Sequence, residues 1–390
     1  MAGWRLGVGS IVVDARAFCG VGVVQDVRVE QFRVEKTEAL LRFLRVAYAG
    51  EARKSDPAYW KWHYLENPNT RIDDIPLWVV SCGEEIVGQL ATIPVQVKAG
   101  GETRPAIWIL DFIVREDFRG KGLGKQLVTA AREKYPTMIT LGINEQSAGV
   151  FRSMGWVEMG WIHRYQKLLY AAHGLAGAAG IAPVRGLLNL LSAPMRIGAG
   201  RGGSAGKYAA KTIREFGAEF DELWERASGQ WACAARRDAR TLRWQFGEQP
   251  GKRFEIIGCY EKERLAGYVV LFFRKRFSGA GPKAGPAKAA ISDLLYEREN
   301  GAEIVDALID AALRRAIELR AGSLVTDVLD GLVEERLKRR GFWRIKKSPQ
   351  FMAWAMASDV EAKNVICNPQ NWFLTRGDSD VSIIEEPNLE

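Results

Sequence analysis

In this 390-residue chain, the run Arg119-Gly120-Lys121-Gly122-Leu123-Gly124 has the residue types and spacing that could most directly do chemistry. Glycines at alternate positions let a backbone approach a ligand closely and take torsions that other residues resist. Successive amide N–H groups at a helix start, with the helix dipole behind them, form a concave site for one phosphate or for two linked ones. Arg119, Lys121 and Lys125 add positive charge at its rim. The flanks have the periodicity such a loop needs. Ile107 to Val114 is an apolar strand interrupted only by Asp111, and Leu123 to about Lys134 reads as a helix. A tight strand-to-helix turn without a ligand gives the same glycine pattern, so the surrounding elements must decide.

Composition narrows the field. With 47% hydrophobic residues the chain can bury cores for about two domains. Five scattered cysteines without a C-x-x-C pair argue against a disulfide framework or a structural zinc, and His63, His163 and His173 lack metal-ligand spacing, so no metal is expected. A reducing cytoplasm suits this cysteine usage. The formal charge of +8 suits a polyanionic partner, be it nucleic acid, an anionic membrane or a phosphorylated cofactor. No nucleic-acid recognition motif accompanies it, so a nucleic-acid partner is not expected.

Downstream of the loop helix come a strand, Thr137 to Leu141, and the segment N-E-Q-S-A-G-V-F-R-S-M-G-W from Asn144 to Trp156. Here the chain resembles the GCN5-related N-acetyltransferase superfamily. That family's cofactor loop, Q/R-x-x-G-x-G/A, is matched by Arg119, Gly122 and Gly124, and its Asn, aromatic and Gly-aromatic positions by Asn144, Phe151 and Gly155-Trp156. The resemblance implies that acetyl-CoA lies between two splayed strands. Its pantetheine would run along Phe112, Ile113 and Val114, and its pyrophosphate would face Gly120, Lys121, Gly122, Leu123, Gly124 and Lys125. It further implies acyl transfer to a small-molecule primary amine, with a backbone N–H steadying the oxyanion. The family's frequent thiolate-protonating tyrosine is Phe151 here, which has no proton to give. For the base that takes the ammonium proton, Asp111 and Glu145 are the candidates. Asp111 could equally fasten its strand to a loop, and Glu145 could be a helix-start carboxylate facing the dipole.

A repeat with an offset of 182 residues organises the rest. Asp56, Trp62 and Pro68 recur as Asp238, Trp244 and Pro250, each followed by a β-hairpin pattern and then by a strand with one aspartate, Asp111 or Asp293. The expected fold class is α/β (α+β), two tandem domains of the resembled type, each a mixed, mostly antiparallel sheet flanked by helices. The expected divisions are an N-terminal extension at 1–25 that could be disordered; an acetyl-CoA-binding domain at 26–168; a linker with an apolar helix at 169–211; a degenerate second domain at 212–357; and a tail at 358–390. In the second copy the loop reads Tyr296-Glu297-Arg298-Glu299-Asn300-Gly301-Ala302, which would repel a pyrophosphate, and Asn144 and Phe151 become Asp330 and Leu337. Residues 168–198, apolar and edged with arginine and lysine, could rest on an anionic membrane surface. The aromatics Tyr59, Trp60, Trp62 and Tyr64 could stack on a sugar or form core. A loose resemblance to bacterial exopolysaccharide and cell-envelope proteins suggests an amino sugar as acceptor. Oligomeric state is not legible.

Overall fold

The computed structural model describes residues 15–19, 23–170, 207–274, 288–345 and 350–378. The linker helix and nearly all of the membrane-contact segment lie outside these residues. The chain divides into two compact units, residues 1–95, 105–158 and 352–358 in the first, and 96–104, 159–351 and 359–390 in the second.

The first unit runs β1 (Ala15–Cys19), β2 (Val23–Gln31), α1 (Thr37–Ala47), α2 (Pro57–Tyr64), β3 (Leu77–Cys82), β4 (Glu85–Ala99), β5 (Glu102–Val114), α3 (Leu123–Arg132), β6 (Thr137–Leu141), α4 (Glu145–Ser153) and β7 (Val157–Trp161). Strands β1 to β4 pair antiparallel in chain order. The segment up to residue 25 is therefore not a disordered extension throughout: Ala15 to Cys19 pairs with Val23 to Val27. The cause is legible in β2, where Val27 and Val29 are buried while Arg28 points outward, the period-2 pattern of a half-buried strand.

Two helix layers sandwich this sheet. On one face α1 and α2 bring Leu40, Leu44, Trp60 and Tyr64 against Leu77, Val79 and Ala91. On the other, α3 and α4 bring Leu123, Leu127, Val128 and Phe151 against Val80, Leu90, Ile107 and Ile109. The helix starts follow capping rules. Asp56 accepts from the amides of Ala58 and Tyr59 ahead of Pro57, and Asn144 accepts from Ser147 N at 2.8 Å.

In the second unit the strands lie in the order 208–213, 254–261, 264–274, 288–296, 323–329, 163–168, 343–345. All adjacent pairs are antiparallel except 288–296 with 323–329. Both units are thus mixed, mostly antiparallel sheets flanked by helices. The boundaries differ from those expected in two places. His163–Leu168 belongs to the second unit, paired with Ser323–Val328. The strand Gln350–Ala355 pairs with β6 and β7, and residues 352–358 belong to the first unit. Sequence order assigns each of these strands to the preceding helix, whereas pairing assigns it by edge.

Candidate functional site

Strands β5 and β6 are parallel, and their registered pairing runs from Ile107 with Met138 to Ile109 with Thr140 and stops there. Thr140 Oγ1 donates to Ile109 O at 3.2 Å at that last rung. Beyond it the strands separate and leave a cleft of about 620 Å³. Its walls are the far half of β5 (Leu110 to Val114), the loop with Arg119, Gly120, Gly122 and Gly124, the turn Gly142 to Asn144, and Val150 of α4.

The loop has the backbone its glycines foretell. Gly120 and Gly122 sit at φ 75° and 77°, and Gly122 is the N-cap of α3. Left-handed torsions of this kind cost an L-residue about 1–2 kcal/mol. A Cβ added to either glycine would meet nothing within 4 Å, so torsion rather than crowding demands glycine there. Gly124 differs, because its Cβ would lie 2.8 Å from Phe112 Cζ; it lets α3 pack on β5. No described backbone hydrogen bond is donated by the amides of Gly120, Gly122 or Gly124. Three donors at the head of a helix therefore remain available to an anion, the fit a pyrophosphate requires. Arg119 Nε donates to Val114 O at 2.8 Å, tying the loop to the end of β5. Arg119 and Lys125 line the cleft; Lys121 instead stands 4.8 Å from the centroid of the Phe118 ring.

The residues singled out in the sequence divide as follows. Phe112, Ile113, Val114, Arg119, Gly120, Gly122, Leu123, Gly124, Lys125, Asn144 and Asp111 all line the cleft. Phe151 does not: it is fully buried, stacked on Phe112 at 5.4 Å and against Trp156 at 4.5 Å, forming the floor beneath β5. Glu145 is also outside, its side chain 80% exposed and paired with Arg152. Asp111 sits two residues past the last β5–β6 rung and pairs with Lys54 Nζ at 2.5 Å. Lys54 in turn stands 4.2 Å from the centroid of Tyr48, another wall residue.

Tyr48, Lys54 and Gly142 were not read as site residues. For Lys54 a signal existed: a cation falls one or two residues before the capping aspartate in both copies, Lys54 before Asp56 and Arg236-Arg237 before Asp238. The aromatic cluster resolves as core. Trp60, Trp62 and Tyr64 are buried, so they cannot stack on a sugar; Tyr59 carries the Arg53 guanidinium on its ring at 4.5 Å.

Residues 38–156 match the Acetyltransferase (GNAT) family. No curated protein matches the sequence. Among solved structures, the chain is similar to a probable N-acyltransferase from Enterococcus faecalis, at TM-score 0.56 and 12% identity, over 85% of this chain and 72% of that one. A GCN5-related N-acetyltransferase from Anabaena variabilis aligns at TM-score 0.55 and 14% identity, over 84% and 72%. N-myristoyltransferase of Saccharomyces cerevisiae, solved with bound myristoyl-CoA, aligns at TM-score 0.55 and 10% identity, over 98% and 91%. At these identities the likeness is one of fold.

Proposed function

We propose that this chain, which carries an Acetyltransferase (GNAT) family domain at residues 38–156, is an acyl-CoA-dependent N-acyltransferase that moves an acetyl group to a small-molecule primary amine. The observation that carries the reading is the splay of β5 from β6 opening onto a glycine loop whose amides are unspent.

The pyrophosphate would sit on the amides of Gly120, Gly122 and Gly124, with Arg119 and Lys125 neutralising its charge. Past Ile109, β5 has left its partner, so its backbone from Phe112 to Val114 is free on that side to pair with pantetheine. The bound donor supplies a thioester carbonyl, at which the amine nitrogen forms the amide bond as the carbon–sulfur bond breaks, its electron pair leaving with the thiolate. An amide of β5 at the splay would steady the oxyanion. Asp111 is the carboxylate within reach of an amine in the cleft, and it would accept the ammonium proton. Glu145 has the weaker claim, since it points away toward Arg152. Phe151 gives no proton, and a thiol pKa near 8.5 lets the thiolate leave unaided at a tolerable rate.

The second unit supports a non-binding role for itself. The Tyr296 hydroxyl donates to Asp330, and its ring lies 3.0 Å from where a Gly301 Cβ would be, at the head of the helix Gly301–Glu318. The N-cap is Asn300 rather than glycine, and Glu297 is tied to Arg226 and Arg264. We read it as a degenerate copy that retains the sheet without the anion cradle.

A second reading, a CoA-binding protein without turnover, is favoured by one observation, the ion pair that occupies Asp111. Thermal shift with acetyl-CoA followed by thiol release over an amine panel separates the two: stabilisation with turnover supports the transferase, stabilisation alone the binding protein. Absence of both outcomes would overturn each.

A further inference from the structure

The two units repeat one arrangement at the mouth of their splayed strands. In the first, parallel pairing ends at Ile109 and Thr140, with Thr140 Oγ1 donating to Ile109 O. In the second it ends at Ile291 and Thr326, and Thr326 Oγ1 donates to Ile291 O, again at 3.2 Å. Two residues on stands an aspartate, and each aspartate meets a cation from just before a helix-capping aspartate. Lys54 Nζ lies 2.5 Å from Asp111 Oδ1, and Arg237 Nε lies 3.2 Å from Asp293 Oδ1. The same charge pair therefore guards the same position twice.

The second unit shows what such a pair binds when its splay is filled. The strand Trp372–Thr375 enters there and pairs antiparallel with Val328 and Leu329. It delivers Asp378, whose carboxylate accepts from Arg237 Nη2, and Thr375, whose hydroxyl donates to Asp293 Oδ1 at 2.5 Å. The side chains of Arg237, Asp293 and Asp378 are all at most 4% exposed. Burial opposes the charge of Arg237, yet the neighbouring carboxylates of Asp293 and Asp378 more than offset it and raise its pKa above the usual range. A cation so placed is satisfied by two carboxylates, one from its strand and one from the segment lying in the splay.

In the first unit Asp111 and Tyr48 line the open cleft, and the Lys54 ammonium touches both from behind that lining, 2.5 Å from Asp111 Oδ1 and 4.2 Å from the centroid of the Tyr48 ring, the side chains of Lys54 and Asp111 being 17% and 19% exposed. Resting on the acyltransferase reading, we infer that the acceptor is a primary amine bearing a carboxylate close by, as in an amino acid, and that Lys54 is the residue that selects it. An ammonium that docks on Asp111 takes that carboxylate away from Lys54. A half-buried charge that loses its short contact is costly unless another replaces it, and the other carboxylate near Lys54, Glu51 Oε2, lies 3.9 Å away on a side chain 53% exposed, a weak replacement. An acceptor with its own carboxylate restores the balance, its amine against Asp111 and its carboxylate against Lys54, as Asp378 stands against Arg237. An amine without one leaves Lys54 to share.

The test uses the full chain with acetyl-CoA and matched acceptors: glycine against glycinamide, β-alanine against its amide, and D-glucosamine, read by thiol release. The expected result is kcat/KM at least tenfold higher for the carboxylates than for their amides. In Lys54→Met, KM for the carboxylates rises, the ratio of kcat/KM for each carboxylate to that for its amide falls at least tenfold, and Lys54→Arg restores most of the preference. Calorimetric affinity for acetyl-CoA, unchanged in both variants, shows that each is folded. Equal turnover of amides or glucosamine, a preference that survives Lys54→Met, or turnover of the amides or glucosamine with none of any carboxylated amine overturns this inference alone. Failure to bind acetyl-CoA removes the acyltransferase reading and this one with it.

Discussion

At the scale of single residues, the cleft separates positions constrained by torsion from positions constrained by packing. Gly122 is of the first kind, at φ 77° with open space around an added Cβ. Gly122→Glu places a carboxylate among the loop amides, and the expected outcome is loss of acetyl-CoA binding by at least 100-fold with the thermal midpoint lowered by only a few degrees. Phe151 is of the second kind. Replacing Phe151 with tyrosine would bury a hydroxyl under Phe112 without a partner, so Phe151→Tyr should lower stability by about 1–3 kcal/mol and leave kcat unraised, checked by denaturant titration and thiol release. His63 makes a third case. It is buried, both ring nitrogens lack a hydrogen-bond partner, and burial, followed by the charges of Arg53 and Lys54, depresses its pKa to about 3. An unfolded imidazole titrates near 6.5. Between those values the unfolded chain binds a proton that the folded one refuses, so the contribution is fully present above pH 6.5 and is lost as pH falls toward 3. His63→Gln should flatten the fall in stability between pH 6.5 and 4.5 seen in denaturant midpoints.

At the scale of elements, the pattern of the sequence carried far because each element of the first unit states its own face. From Ile107 to Val114, strand β5 is apolar but for one aspartate, α3 repeats Leu123, Leu127, Val128 and Ala131 on one side, and aspartates cap two helices at the same repeat position. Asp111, Arg119, Gly120, Gly122 and Gly124 were therefore legible as parts of one site. Lys54 and Tyr48 were not, because they reach β5 from the turn after α1, across 57 residues of sequence in the case of Lys54. Exchange of the strands 163–168 and 352–355 was equally hidden, since nothing in a strand's own pattern states which sheet edge it meets. Nothing in the tail's own pattern showed that Trp372, Phe373 and Leu374 would be buried in the second unit. Removing the carboxylate from that tail tests its role as an element of the fold. Asp378→Ala leaves Arg237 with one of its two buried carboxylates, and the expected loss is about 3–5 kcal/mol, measured as a lower urea midpoint.

At the scale of the whole molecule, one chain holds two mixed sheets whose strand splays have different contents. One splay is an open cleft beneath a glycine loop; the other is filled by the chain's own residues 372–378 and headed by Tyr296 and Asn300. No helix among the described residues is long and apolar enough to cross a membrane. Of the cations behind the net charge of +8, which by itself fits several polyanions, Arg119 and Lys125 line the cleft. The most direct test of the central claim is calorimetric titration of the full chain with acetyl-CoA. The account predicts one site per chain, in the micromolar range typical of such substrates, abolished by Gly122→Glu. No heat of binding, or affinity that Gly122→Glu leaves unchanged, would contradict it.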